Sequence, residues 1–212
     1  MEKAYEQLSE NVVDGNVSGV VLLTQKTLDE GADPKEIINK GLLPGMSEVG
    51  ELFKDGELFV PEVLVSAKAM NAGMELLKPF LKEGDIKKVG TCVVATVKGD
   101  LHDIGLKLVS MMMESAGYEI INLGVDVDSE TIVSAVKEHK PDIVGMAAML
   151  TTTMVNMKDT VEALKENGLY DGLKVIVGGS PVTDNFADEI GAQYAPDASS
   201  AVDLANRLMA AA

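Results

Sequence analysis

The chain has 212 residues, 46% of them hydrophobic, enough for one large domain or two small ones with modest cores. Lys and Arg number 18 against 34 Asp and Glu, a formal net charge of −16 with acids in excess in both halves, so nucleic acid is excluded as a partner by repulsion from its phosphates. The N-terminus has no apolar signal segment and no apolar run approaches the roughly 18 residues needed to span a bilayer, so no secretion signal and no membrane partner are expected.

The first half reads as helices. Tyr5, Leu8 and Val12 recur at spacings of three and four up to the breaker Asp14-Gly15-Asn16, and Val17, Val20, Val21, Thr24 and Leu28 repeat that spacing to Gly31. Asp33-Pro34-Lys35-Glu36 is a start signal, with Asp33 as N-cap, Pro34 in the first turn and Glu36 closing a capping box. The helix it opens carries Ile38, Leu42, Gly45, Val49 and Phe53 on one face, with a kink expected at Pro44, and stops at Lys54-Asp55-Gly56. A fourth helix opens at Pro61, with a stripe of Val60, Val63, Leu64, Ala67, Met70, Met74, Leu77 and Leu81. Short loops between four helices indicate a four-helix bundle over residues 1–86.

After Gly84-Asp85 the period changes. Strand-like apolar runs at 89–97, 118–123, 142–149, 173–178 and, weakly, 192–195 alternate with helical segments near 104–116, 129–139, 152–167, 183–190 and 199–211. Strands buried on both faces and alternating with helices imply a parallel sheet with right-handed crossovers. Residues 87–212 are therefore expected to be an α/β domain of the flavodoxin-like, doubly wound, five-stranded type. Ligands bind such sheets at the carboxyl ends of the strands, near the topological switch point.

One cysteine, Cys92, forms no intrachain disulfide and fits a reducing cytoplasm. Two histidines, His102 and His139, cannot make a multi-histidine or Cys₂His₂ metal site. With so little equipment for acid–base work at neutral pH, the chain is either no enzyme by itself or leaves the chemistry to a cofactor. His139 reads as a solvated helix end, and the 12 methionines as filling for core gaps and helix faces.

The segment after the first strand is Val97-Lys98-Gly99-Asp100-Leu101-His102-Asp103-Ile104-Gly105. An aspartate two residues from a histidine suits a metal-ligating imidazole whose second nitrogen is held by a carboxylate. Gly99 and Gly105 let a bulky ligand approach the backbone. From this fragment alone, a surface histidine in a polar loop before a helix fits equally well. Two more stretches lie after the third and fourth strands: Ala147-Ala148-Met149-Leu150-Thr151-Thr152-Thr153 and Gly178-Gly179-Ser180, the latter also readable as an ordinary turn.

Together these stretches resemble the D-x-H-x-x-G, S-x-L and G-G motifs of the cobalamin-binding domain of methionine synthase and the corrinoid methyl-carrier proteins. In this sequence 41 residues separate Gly105 from Ala147, and 28 separate Met149 from Gly178, intervals similar to that family's. Phe59-Val60-Pro61-Glu62-Val63-Leu64 through Lys78-Pro79-Phe80 resembles the last helix of the family's helical cap. The whole chain is most similar to the stand-alone corrinoid proteins of methanogens and acetogens.

That resemblance implies a base-off, His-on cobalamin or related corrinoid, with His102 as the lower axial ligand of cobalt and Asp100 holding the imidazole and managing its proton. It implies further cofactor contacts from Gly99, Asp103, Ile104, Gly105, Ala147, Met149, Thr151, Thr152, Gly178 and Gly179, the small residues leaving room for the nucleotide tail. Phe53 and Val60 align with apolar residues covering the upper corrin face in a cap that moves aside, although Val60 also suits plain bundle core. The pattern is broken at S-x-L, where Ala147 replaces the serine that extends the His–Asp hydrogen-bond chain; Thr151 or Thr152 would be a partial substitute. The implied role is to carry a methyl group on cobalt between a substrate-specific methyltransferase and a second one acting on tetrahydrofolate or a thiol, with a reductive activating protein. Methanol, methylamines, betaines and methyl ethers are the donors such systems use. Rival readings are a cobalamin-dependent light or gene regulator, which wants a DNA-binding domain, and an adenosylcobalamin mutase small subunit, which usually lacks the helical module. A phosphoacceptor receiver would want an aspartate where Met146, Ala147 and Ala148 stand.

Overall fold

The computed structural model describes residues 1–81 and 88–210. The chain divides into two compact units, one built from Met1–Lys88 with Ser115–Gly117 and the other from Val89–Glu114 and Tyr118 onward. The expected boundary between 86 and 87 lies outside the described residues.

In the first unit, α1 (Glu2–Val13) and α2 (Val17–Asp29) are joined by the Asp14–Asn16 turn, and the Asn16 side chain caps α2 by accepting from the Gly19 N–H at 3.0 Å. Asp33 caps α3 (Pro34–Ile37) by accepting from the Lys35 N–H at 2.9 Å. Glu36 does not close a capping box: its carboxylate takes Lys40 at 2.6 Å and the Tyr5 hydroxyl at 3.4 Å, tying α3 to α1. The helix then widens into a π turn, Ile38–Leu42, before α4 (Leu43–Lys54). The Leu43 N–H reaches back to the Ile38 carbonyl, so the wider turn accommodates Pro44, which has no N–H to donate. α5 (Val60–Leu77) is shorter than its apolar stripe suggests, passing at Lys78–Phe80 into a 3-10 turn around Pro79 that leaves Leu81 beyond the helix. Leu8, Val12, Val20, Leu42, Val49, Val63, Met70 and Leu77 are buried, whereas Leu64, at the side of the stripe, is exposed.

The second unit is a five-stranded, all-parallel sheet. Its strands are β1 (Thr91–Thr96), β2 (Glu119–Asn122), β3 (Ile143–Ala147), β4 (Lys174–Gly178) and β5 (Gln193–Tyr194), in the order β2-β1-β3-β4-β5. The crossovers are α6 (Ile104–Ser115), α7 (Ser129–His139), α8 (Thr151–Glu166) and α9 (Asp184–Ile190), and α10 (Ala198–Ala210) follows β5. The inner strand β1 is buried almost throughout and β3 and β4 are mostly buried, while the edge strands are not. Val93, Ala95, Val144, Met146, Val175 and Val177 pack with Met157, Val161 and Leu164 of α8 in the main core. Because β1 leads to β2 on one side and β3 leads to β4 on the other, the chain reverses direction between two neighbouring strands. That is the switch point where a crevice opens at the carboxyl edge.

The core of this unit rests on α8 being seated against the sheet, and Met157 is fully buried at that seat. Met157→Ala is expected to lower the unfolding free energy of this unit by about 2–5 kcal/mol in a denaturant titration.

Candidate functional site

The loop from β1 to α6 carries the site. The Asp100 carboxylate is fully buried, and four donors meet it. His102 supplies two of them to Oδ1, its Nδ1 at 2.6 Å and its backbone N–H at 3.1 Å. The other oxygen, Oδ2, takes the Met149 backbone N–H at 2.7 Å and the Thr153 hydroxyl at 2.6 Å. Burial pushes the Asp100 carboxyl up, but the Thr153, Met149 and His102 donors outweigh it and hold the group well below the usual carboxylate range. With the carboxylate ionised, Nδ1 carries the proton of their shared hydrogen bond, and in the neutral imidazole this leaves the lone pair on Nε2. The imidazole itself is 57% exposed.

The loop is anchored on three sides. The Thr96 hydroxyl donates to the His102 carbonyl at 2.9 Å, Asn156 Nδ2 donates to the Lys98 carbonyl at 2.9 Å, and Asp126 Oδ1 accepts the Gly99 N–H at 2.7 Å. Asp103 stands at the start of α6, where its exposed carboxylate is engaged by Lys107 one turn on; that hydrogen bond lowers its pKa. Around the imidazole's loop the edge is apolar and uncovered: Leu101 is 72% exposed, Ile104 69%, and Met149 and Leu150 are exposed on the β3–α8 loop.

The sequence-predicted residues separate into groups. Asp100, His102 and Met149 come together directly; Gly99 lies in the same loop and Gly105 in the first turn of α6 that follows it. A Cβ placed on Gly105 would meet nothing within 4 Å, so the protein's own packing does not require glycine there. The glycine pair after β4 is different. A Cβ on Gly178 would lie 2.8 Å from the Ala195 carbonyl oxygen, and one on Gly179, at φ +121°, would lie 1.9 Å from that of Ala148. These two glycines already serve the close approach of the chain to itself. Ala147, the last residue of β3, is partly buried.

Thr151 and Thr152 are exposed and do not replace the missing serine; Thr153, the third residue of α8, does contribute a hydroxyl to Asp100. The run of three threonines was the signal, but choosing among them requires knowing where the helix begins, since each step turns the side chain by about 100°. Thr96, Asp126 and Asn156 were missed as well, because each acts through backbone groups of the loop. Phe53 and Val60 lie in the helical unit at the two ends of the turn joining α4 to α5, both partly exposed, and Phe59 between them is 67% exposed. Among the described residues, no three His, Cys, Asp or Glu side chains converge to hold a metal ion, and no helix is long and apolar enough to cross a membrane.

Removing the Thr153 hydroxyl leaves a buried carboxylate short of one donor. Thr153→Val is expected to cost about 1–3 kcal/mol at neutral pH. A carboxyl lowered in the folded state stabilises the fold above its unfolded pKa, near 4, and that contribution is lost as pH falls toward the folded value. The unfolded pKa is common to both proteins, so the variant's deficit, followed by denaturant unfolding, should be largest at neutral pH and shrink only as pH falls through the variant's own folded Asp100 pKa.

A B12 binding domain matches residues 90–203, and a second type of B12 binding domain matches residues 4–78. The chain is 44% identical to dimethylamine corrinoid protein 1 of Methanosarcina acetivorans over 211 residues, covering 99% of each. It superposes with a TM-score of 0.89 and 31% identity on a chain of the methanol:cobalamin methyltransferase complex from Methanosarcina barkeri, covering 99% of this chain and 81% of that one. A cobalamin-binding protein from Desulfitobacterium hafniense gives a TM-score of 0.81 at 35% identity, covering 95% and 96%. With one B12 binding domain across more than half its length and a relative this similar from end to end, the chain belongs to the corrinoid protein family.

Proposed function

We propose that this protein is the methyl-carrying component of a cytoplasmic, corrinoid-dependent methyltransferase system, with His102 as the lower axial ligand of cobalt in a base-off, His-on corrinoid. The observation that carries the reading is the exposed imidazole whose Nδ1 is fixed by the buried Asp100 carboxylate. Such an arrangement sets the tautomer and orientation of a ligating histidine and raises its basicity.

When bound, the corrinoid supplies a cobalt nucleophile able to take up and give up a methyl group. The chain's own residues hold and orient it. Nε2 of His102 is the nitrogen available to cobalt, and Leu101, Ile104, Met149 and Leu150 offer an apolar seat beside it. Gly99 in the loop and Gly105 in the first turn of α6 keep the backbone accessible, and Asp103 and Thr151 and Thr152 offer polar groups at the same edge. The family pattern assigns Ala147, Gly178 and Gly179, at and just past the carboxyl ends of β3 and β4, to the nucleotide tail, although the two glycines also serve the chain's own close contacts. The family pattern assigns Phe53 and Val60 of the helical module, both partly exposed, as apolar cover for the corrinoid. Thr153 restores the hydroxyl that Ala147 lacks, so Asp100 stays ionised and the shared proton stays on the imidazole.

The partners fitting this role are a substrate-specific methyltransferase, a second methyltransferase acting on tetrahydrofolate or a thiol, and a reductive activating protein. Similarity to a dimethylamine corrinoid protein favours methylamines as the donor class, with methanol as the comparison.

The test is the electron paramagnetic resonance spectrum of the cobalt(II) form, with and without ¹⁵N-histidine. Labelling is expected to turn the nitrogen superhyperfine triplet into a doublet, and His102→Ala to abolish it while His139→Ala leaves it unchanged. His102→Ala should remain folded, because Asp100 keeps three donors. Failure to bind any corrinoid overturns the reading, and splitting that ignores the label removes His102 from the cobalt.

A further inference from the structure

Asp126 and Lys140 are the non-glycine residues with positive φ in the described structure, at 55° and 47°. Lys140 has an ordinary reason, since it is the left-handed residue that ends α7. Asp126 does not end a helix. It lies in the turn between β2 and α7, in a backbone region that disfavours residues with a Cβ. Aspartate is among the few side chains that tolerate this region, and non-glycine residues held there concentrate at functional sites.

What holds Asp126 there is the histidine loop. Its Oδ1 accepts the Gly99 N–H at 2.7 Å, and its own N–H donates to the Asp100 carbonyl at 3.0 Å. One residue on, the Val127 N–H donates to the Thr96 carbonyl at 3.1 Å, and Val127 bridges to Val97. The side chain of Asp126 thus grips the residue before Asp100, and its backbone grips Asp100 itself. Gly99 is also left-handed, at φ +80°, so this stretch of loop has little local preference for the conformation it adopts.

We propose that Asp126 is a positioning residue for the axial-ligand loop: it fixes the Gly99–Asp100 backbone so that the buried carboxylate meets Nδ1 of His102. It touches neither the imidazole nor the cofactor's metal, and acts through Asp100. The inference rests on the reading of His102 as the cobalt ligand, but its geometry concerns the protein alone, which allows the two to be tested apart.

Three variants divide the roles of the side chain. Asp126→Asn keeps an acceptor and tolerates positive φ. Asp126→Gly keeps the backbone freedom and loses the acceptor. Asp126→Ala loses both. The first readout is the ring-nitrogen ¹H–¹⁵N spectrum of the corrinoid-free protein, with His139 as the internal reference. Wild type and Asp126→Asn are expected to show His102 protonated at Nδ1. Asp126→Ala should lose that fixed tautomer and show about tenfold faster exchange of the Gly99 amide, as expected when a hydrogen bond to a charged acceptor is removed; Asp126→Gly should fall between. The second readout is the histidine splitting of the cobalt(II) protein, expected to weaken in the same order. If Asp126→Ala, folded by circular dichroism, keeps the wild-type tautomer and Gly99 exchange, the positioning role is wrong whatever the cobalt spectrum shows. If Asp126→Ala does not fold, Asp126→Gly decides: a wild-type tautomer and Gly99 exchange there overturn the role. If the tautomer responds as expected but wild type shows no histidine splitting, the positioning role stands and the ligand assignment falls.

Discussion

A carboxylate with no access to water is the constraint around which this site is organised. Burying an unpaired charge costs far more than a folded domain can spare, so Asp100 is compatible with the fold only if protein donors replace its hydration. Four do so: His102 twice from its own loop, Met149 from the β3–α8 loop and Thr153 from the first turn of α8. The same bonds that solvate the carboxylate also fix the imidazole. Orientation of the ring is therefore a by-product of a stability requirement, which makes it hard to lose without also disturbing the unit.

The sheet topology makes that convergence possible. β1 lies between β2 and β3, so the loop leaving its carboxyl end is flanked by the loops leaving both neighbours. The β3–α8 side supplies Met149, Thr153 and Asn156, and the β2–α7 side supplies Asp126. A loop on an edge strand has only one neighbour to draw on. The position of the histidine after β1, at the switch point, is thus where a preorganised side chain costs least in additional scaffolding.

Elements were legible in the sequence because their signals are redundant. A buried parallel strand repeats its apolar character over several residues, and Asp33-Pro34 marks a helix start by two independent chemistries. The histidine and its aspartate were legible for a related reason: they are two residues apart, so local geometry alone brings them together. Thr153 was not, because its contact spans 53 positions and a one-residue error in the helix start points a different threonine at the carboxylate. Pro44 was read as a kink because the missing donor is visible in sequence, whereas the compensating π turn is not. Glu36 has a capping-box position but finds Lys40 and Tyr5 instead, a choice that depends on α1 being beside it. Asp126 has no sequence signal at all, since its partners are backbone atoms.

The two kinds of glycine at this edge also separate fold from ligand. Gly178 and Gly179 are demanded by the chain's own close contacts, so their presence alone says nothing about a cofactor. Gly105 faces open space, and beside it Leu101 and Ile104 expose most of their apolar surface. In a chain carrying −16 the general charge keeps molecules apart, but it does not remove the local cost of wetting those side chains. An uncovered apolar rim around a fixed imidazole is a liability in the free protein and an asset once a large, flat, partly apolar cofactor rests on it. On that balance the exposed apolar side chains and the fixed imidazole together suit the large, partly apolar cofactor that the proposed function places at this edge.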